Sequence, residues 1–462
     1  MKKFLRTILL VIILFSPVLV SENKNHDLIF EVIKKIKELY VDKDKLNDKR
    51  IIYGAIKGIV STLDPHSQFL EPEDLKSINE EIKGEFGGLG IEVGIQKGKL
   101  TIISPIEDTP AFRAGLKPGD HISAIEGKST EGITIIEAVR KLRGKPGTKV
   151  TISIEREGMD EPFDVTITRE IIKIHPVKWY VIKDEIGDIG YVKITSFNEN
   201  TSKDLEKVLS LLKEKEIKFL ILDLRNNPGG LLSSAVDVAS QFIPRGKIIV
   251  STIGRLEEFT NIEYSKGGIF SEELIPLAVI VNIGSASASE IVTGAIKDYK
   301  RGIIVGSKTF GKGSVQRIYS LSDGSALKLT IAYYYTPNRN LIHEKGIEPD
   351  VVVEKKKEGK AFSILLKNEA FIDFAKSYVK THPDVSKKFE VNDEIFNKFL
   401  KMVEKFNIPN SLLEEDKGII KKQIKYEILK EAKGKNVAEE VILREDEEVN
   451  EAIKILKKNT KH

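Results

Sequence analysis

The chain has 462 residues, 41% of them hydrophobic, which is enough for several packed domains. Lys plus Arg number 73 against 69 Asp plus Glu, a net charge of +4, so the balance gives no sign of a nucleic-acid partner. Cysteine is absent, which excludes disulfides, thiolate-bound zinc, iron–sulfur clusters and a cysteine nucleophile; the 7 histidines are scattered without a ligand spacing, and neither a metal nor a cofactor is expected.

The N-terminal stretch "MKKFLRTILLVIILFSPVLVS" opens with Lys2, Lys3 and Arg6 and continues as an apolar run broken at Ser16-Pro17. A basic start followed by a short apolar run is the pattern of a secretory signal, with an uncleaved N-terminal anchor as the competing reading of residues 1–21. Either reading places the rest of the chain outside the cytoplasm, in a periplasm or at a cell surface. Residues 22–83 then read as helical, with apolar residues recurring at three and four in "HDLIFEVIKKIKELYV" and "DKRIIYGAIKGIVSTL". Residues 84–170 change to short strands with glycine turns and one amphipathic helix, "TIIEAVRKLRG", a small β-rich module. Residues 171–353 alternate strand and helix, and the near-continuous apolar strands "FLILDL" and "LAVIVN" imply a largely parallel sheet covered by helices. Residues 354–462 are rich in mixed charge and read as solvated amphipathic helices, a packing or oligomer surface.

The chemistry concentrates in three turns of the α/β region. "NIGSASASEI" follows a buried strand and opens a helix, with Ser285, Ser287 and Ser289 at alternate positions. Ser287-x-x-Glu290 fits a capping box. The same position suits a nucleophile, because free N–H groups at a helix start stabilise developing negative charge, and the N–H of Ala288 stands where an oxyanion donor would. The small residues Ala286 and Ala288 would leave room for a substrate backbone. No histidine lies near in sequence, and His66, His175 and His343 show no clear partner aspartate, so a histidine triad, through His66, is the weaker reading beside a different base. In "SKTFGKGSVQ", Lys312 lies between two glycines, and Gln316, four residues on, shares its face if the segment is extended. A lysine base must be neutral. Its ordinary pKa of about 10.4 would have to fall about three units, roughly 4 kcal/mol, which burial supplies and exposure does not. Gly306-x-x-x-x-Gly311-Lys312 imitates a phosphate loop, but Gly313 stands where a magnesium-binding hydroxyl is required and the following residues are strand-like. The third turn, "DLRNNPGGLL", offers Gly229 and Gly230 as sources of a second oxyanion N–H.

Taken in order and spacing, "LDPHSQFL", "DLRNNPGG", "GSASASEI" and "GKGSVQ" resemble the C-terminal processing (tail-specific) serine peptidases, and the closing "YYYTPNRNLIHEKGIEPD" is similar to the end of that family's protease core. The resemblance spans roughly residues 25–353. It implies a multidomain α/β protein: a crotonase/Clp-like serine peptidase core with an inserted β-rich PDZ domain and helical regions at both ends. It implies Ser287 as nucleophile, Lys312 as general base, Gln316 as the residue that orients it, and an oxyanion hole from Ala288 with Gly229 or Gly230. "GGLGIEV" resembles a PDZ carboxylate-binding loop, so Gly88, Leu89, Gly90 and Ile91 are expected to hold a peptide terminus. His343 stands where many relatives carry Gln. The expected partners are proteins or peptides with accessible C-termini, an activating adaptor and further copies of the chain, with no nucleic acid. A catalytically silent PDZ adaptor on a peptidase scaffold is the alternative.

Overall fold

The computed structural model describes residues 24–106, 108–159, 161–354 and 359–459. The signal or anchor read in residues 1–21 lies outside the described residues. The described residues fall into two compact units that divide between Phe69 and Leu70. No helix among the described residues is long and apolar enough to cross a membrane.

The first unit is helical, as its periodicity predicts: Lys24–Leu39 and Asp48–Ser61. Asn47 caps the second helix by accepting the Arg50 N–H at 3.0 Å. The pattern ends where the Asp64 carboxylate takes the N–H groups of His66 and Ser67, each at 2.8 Å, and so folds "DPHS" into a turn.

In the second unit, a helix Pro72–Lys83 starts with proline and ends at Gly84, whose φ of +66° is open to glycine. A two-stranded ribbon, Glu85–Gly88 with Glu170–Lys173, closes the entry and exit of the β-rich module. Between them, strands Ile91–Gln96, Lys99–Pro105, His121–Ile125, Lys149–Glu155 and Phe163–Thr168 form an antiparallel sheet in that order, and Lys128–Ser129 pairs with His121–Ile125. Alternation along "KVTISIE" sends Val150, Ile152 and Ile154 into a core shared with Leu100, Ile102 and Ala138 of the helix Ile135–Leu142.

The next region is built on a six-stranded sheet. Val177–Ile182 runs antiparallel to Ile189–Ile194; Phe219–Asp223, Leu277–Val281, Ile303–Gly306 and Val351–Val352 then follow in parallel. Because side chains alternate, Leu220, Leu222, Val279 and Val281 face one side, where Thr201–Glu214, Leu232–Ser240 and Ala288–Asp298 cover them. A second, antiparallel sheet carries Ile248–Gly254, Asn261–Tyr264 and the hairpin Ser314–Ser320/Ala326–Tyr335, turned at Asp323-Gly324. A strand, not a helix, therefore follows Lys312.

The C-terminal helices fall into two parts. Those from Lys360–Lys367 to Lys435–Leu443 form their own core around Phe371, Phe374, Phe399, Ile424 and Ile428. The last helix, Glu447–Asn459, does not belong to that core. Its Val449, Ala452 and Leu456 cover the other face of the six-stranded sheet, against Tyr191, Phe219, Ile221, Ala278, Ile280 and Val305. The amphipathic pattern alone does not say which surface such a helix covers. Leu456→Ala leaves a hole against the sheet and is expected to destabilise it by about 3 kcal/mol. The single tryptophan, Trp179, sits in that sheet, so urea titration followed by its fluorescence reports the loss. An unchanged midpoint would contradict the packing.

Candidate active site

Two turns leave the carboxyl ends of neighbouring parallel strands, Phe219–Asp223 and Leu277–Val281, where open α/β sheets bind their ligands. They carry "LRNNPGGL" and "NIGSASA". A third segment, 307–313, comes alongside.

The three alternate serines separate. Ser285 Oγ donates to the Leu224 carbonyl at 2.8 Å, and Ser289 Oγ to the Asn227 carbonyl at 2.9 Å. Both are fully buried, and both tie the serine turn to the neighbouring turn. The Ala286 N–H adds a third bond to Asn227 O, at 3.0 Å. Ser287 alone keeps its hydroxyl out of these bonds. It stands at the N-cap of Ala288–Asp298 in the capping box that the sequence offers, with its N–H on the Glu290 carboxylate; the Glu290 N–H faces the Ser287 side chain but makes its short bond, 2.8 Å, to the Ser287 carbonyl. Its backbone is held at φ 55°, ψ −112°, a region that side chains other than glycine's rarely occupy. Such a sharp strand-to-helix turn pushes the hydroxyl outward.

Glu290, read in the sequence only as a capping partner, is the hub of the site. It is fully buried. Oε2 accepts the N–H of Ser287 at 2.9 Å and the N–H of Lys312 at 2.8 Å; Oε1 accepts the Gly311 N–H at 2.7 Å and Thr309 Oγ1 at 2.6 Å. The amide nitrogens of Ser287 and Lys312 share one oxygen and so lie within about 6 Å of each other. Burial pushes the Glu290 carboxyl pKa up, and these four donors oppose the shift. Gly311 and Gly313 let the lysine segment pass against the backbone of residues 343–346: a side chain at 313 would lie 2.2 Å from the His343 nitrogen.

Lys312 is half-buried. Burial lowers its pKa from the ordinary lysine value, the nearby Lys328 ammonium lowers it further, and Glu290 pulls the other way. No hydrogen bond joins Lys312 Nζ to Ser287 Oγ among the described residues. Gln316 is brought close in sequence but is engaged elsewhere: Nε2 donates to Ser314 Oγ at 2.8 Å and Thr330 Oγ1 at 3.2 Å. A register shift between Val315 and Gln316 breaks the simple face-sharing expected of an extended segment. Of the other histidines, His175 does meet a carboxylate, Asp204, at 3.0 Å, but in an exposed position.

The two glycines of the other turn also separate. The Gly229 N–H is spent on Asn227 Oδ1 at 2.9 Å. Its Cα faces the serine turn so closely that a Cβ would stand 2.7 Å from Ser287 Cβ and 2.8 Å from the Ala286 carbonyl. The space beside Ala286 and Ala288, expected to admit a substrate backbone, is therefore shared with this glycine. The N–H groups of Gly230 and Ala288 have no partner among the described residues.

In the β-rich module, Leu89 is buried, and the Leu89 and Gly90 carbonyls accept the N–H groups of Ala111 (2.9 Å) and Ile106 (2.8 Å). Gly90 holds φ +79° against Thr109. The N–H groups of Leu89 and Gly90 stay without a partner among the described residues, and Ile91–Gln96 ends its sheet, paired on one side only. A free strand edge beside helix Ile135–Leu142 suits an added peptide strand.

The strain at Ser287 generates a stability test. Ser287→Gly frees the turn from a conformation that alanine must still adopt, and is expected to be about 1 kcal/mol more stable than Ser287→Ala in urea. A more stable alanine variant would show that the turn is relaxed.

Comparison with known proteins bears on most of the chain. A peptidase family S41 model matches residues 188–353, a PDZ domain model residues 87–167, and a PDZ-protease C-terminal helical domain model residues 362–412. The chain is 44% identical over 329 residues to a carboxy-terminal-processing protease of Bartonella bacilliformis, covering 70% of this chain and 74% of that one. It is 35% identical over 371 residues to the carboxy-terminal processing protease CtpB of Bacillus subtilis, covering 79% and 76%. Among solved structures, the photosystem II D1 C-terminal processing protease aligns at 30% identity and a TM-score of 0.43, over 71% of this chain and 92% of that one. Identity of this degree, sustained over about three-quarters of the relatives' length, decides the matter: the chain belongs to peptidase family S41 and is a serine peptidase that carries a PDZ domain.

Proposed function

We propose that the protein is an extracytoplasmic endopeptidase that takes the C-terminal tail of a protein substrate in its PDZ domain and cleaves the substrate with a Ser287–Lys312 dyad. The observation that carries this reading is the Glu290 carboxylate, whose single Oε2 holds the amides of both residues.

The tail carboxylate would be taken by the N–H groups of the Gly88–Leu89–Gly90–Ile91 loop, with the tail strand added to the open edge of Ile91–Gln96. At the core, Ser287 Oγ attacks the scissile carbonyl carbon and its proton passes to neutral Lys312 Nζ. The carbonyl oxygen becomes an oxyanion that accepts the N–H groups of Ala288 and Gly230; the Gly229 N–H is already committed to Asn227. The Lys312 ammonium then protonates the leaving amine. The amine departs; a water that gives a proton to Lys312 attacks the ester carbon, the C–Oγ bond breaks, and the Lys312 ammonium returns that proton to Ser287 Oγ as the acid product leaves. Catalytic hydrogen bonds often close only with substrate in place, which accommodates the unbonded Ser287 Oγ and Lys312 Nζ. Gln316 serves to orient the lysine in that closed state through its carbonyl oxygen. Secretion or anchoring rests on the residue 1–21 pattern, and assembly with further copies or an adaptor on the helical end regions.

Ser287→Ala is expected to lower cleavage of a tail-bearing protein at least ~10³-fold. Ser285→Ala and Ser289→Ala are expected to retain the reaction and lose about 1 kcal/mol of stability through the loss of one buried hydrogen bond each. Equal loss of activity at all three would contradict the assignment. Because Lys312 must be neutral to accept the proton, kcat/KM should rise with pH through the lysine's lowered pKa and level off above it. Removing the Lys328 charge by Lys328→Gln lets that pKa rise, so the acid limb should move to higher pH; an unmoved limb would mean that another group is the base. Separately, a tail peptide should bind the protein with a free C-terminus and lose that binding when amidated, and equal binding of both forms would remove the PDZ role.

A further inference from the structure

Arg225 lies in the turn that leads to Gly230, yet the partners of its side chain come mostly from the far end of the chain. Its guanidinium is 6% exposed. Nε and Nη2 hold the Asp223 carboxylate, with Nη2 at 2.6 Å from Oδ2. Nη1 bonds both oxygens of Asp446 at 2.9 Å, and also the buried Glu448 carboxylate. Asp223 in turn accepts the Tyr191 hydroxyl at 2.6 Å and the Arg225 N–H at 2.9 Å. One cation thus serves three carboxylates in a largely buried place. Asp446 also caps the last helix through the N–H groups of Glu448 and Val449, at 3.1 and 3.0 Å. Asp446 and Glu448 lie outside every segment that the family models match.

The turn beyond Arg225 is stiff. Asn226 sits at φ 57° with its N–H on Asn282 Oδ1 at 2.9 Å, and the Asn282 amide returns to Asn226 Oδ1 at 2.9 Å. Asn227 holds Ile194 O and the Gly229 N–H with its side chain, and Ser289 and Ala286 with its carbonyl. The residues between Arg225 and Gly230 thus form one braced turn, with Arg225 at its start and Gly230 at its end. Buried charge-assisted bonds with bidentate geometry fix position as well as supply energy.

We propose that Arg225 is a positioning residue for the oxyanion-binding turn, and that the C-terminal segment, through Asp446 and Glu448, is part of the catalytic unit. The inference rests on the reading of Ser287 as nucleophile and of the Gly230 N–H as oxyanion donor. It assigns the end of the chain a role in rate and none in tail capture.

Asp446→Asn is the leading variant, because asparagine caps a helix as well as aspartate and only the charge is removed. With a tail-bearing substrate, kcat should fall about tenfold while KM stays within about twofold. The affinity for a peptide aldehyde, which adds to Ser287 Oγ and places its oxygen in the same hole, should fall by the same factor as kcat. Glu448→Gln should lose more, and Arg225→Lys should recover part of the activity that Arg225→Met loses. All assays are run well below each variant's unfolding midpoint. If Glu448→Gln does not fold, Asp446→Asn carries the test alone. Unchanged kcat and aldehyde affinity in Asp446→Asn, with only the urea midpoint lowered, would reduce the cluster to a structural anchor and overturn the proposal. A Ser287→Ala protein that still cleaves would instead overturn the nucleophile reading, and this inference with it.

Discussion

The active region depends on one buried carboxylate. Glu290 has no access to water, and an uncompensated charge there would be prohibitive. Four donors compensate it, and three of them are backbone amides whose position fixes the chain that bears them. One donor belongs to the strained residue at the start of the helix, and the others to the glycine-flanked lysine segment. The carboxylate therefore sets the separation of two segments that leave adjacent parallel strands, Leu277–Val281 and Ile303–Gly306. It does so at a chemical cost: its charge favours the lysine's ammonium form, the form that cannot accept a proton. Burial of Lys312 and repulsion by Lys328 act against that pull and prevail, since the net shift is downward.

The second constraint is the interlock of the two turns at the carboxyl ends of neighbouring strands. Ser285 and Ser289 bind carbonyls of the facing turn, Asn226 and Asn282 exchange hydrogen bonds, and Gly229 fits against Ser287 with no room for a side chain. A strained backbone persists only where its surroundings over-determine it. Here the serines on either side of Ser287 supply that determination. The repetition of serine thus has a division of labour: the outer two hold the turn, and the middle one keeps its hydroxyl out of those cross-turn bonds.

The sequence carries the architecture and the candidate residues, because these rest on local signals: period-two and period-3.6 patterns, glycine turns, a serine at a helix start, a lysine between glycines. What escapes it is everything decided by long-range pairing. Gly229 and Gly230 are equivalent as letters, and only the bond from the Gly229 N–H to Asn227 separates them. Glu290 reads as a capping partner three residues from Ser287, and nothing local shows that residues 309–312 converge on the same two oxygens. Gln316 reads as sharing a face with Lys312 until the register shift after Val315 is seen. The last helix reads as solvated because its apolar stripe does not name the surface it covers, which is the far side of the peptidase sheet. A buried arginine with partners more than 200 residues away leaves no sequence signal beyond the unusual density of acidic residues in "REDEEVNE".

The resting arrangement therefore has a formed scaffold and an unformed contact: the amides of Ser287 and Lys312 are held together while Oγ and Nζ remain unbonded. The most direct measurement of this account is a crystal structure of the protein with a peptide aldehyde bound to Ser287. The account predicts the hemiacetal oxygen about 3 Å from the N–H groups of both Ala288 and Gly230, with Lys312 Nζ within hydrogen-bond reach of Ser287 Oγ. A hemiacetal oxygen facing solvent, or Lys312 Nζ directed away with another side chain on Ser287 Oγ, would contradict it.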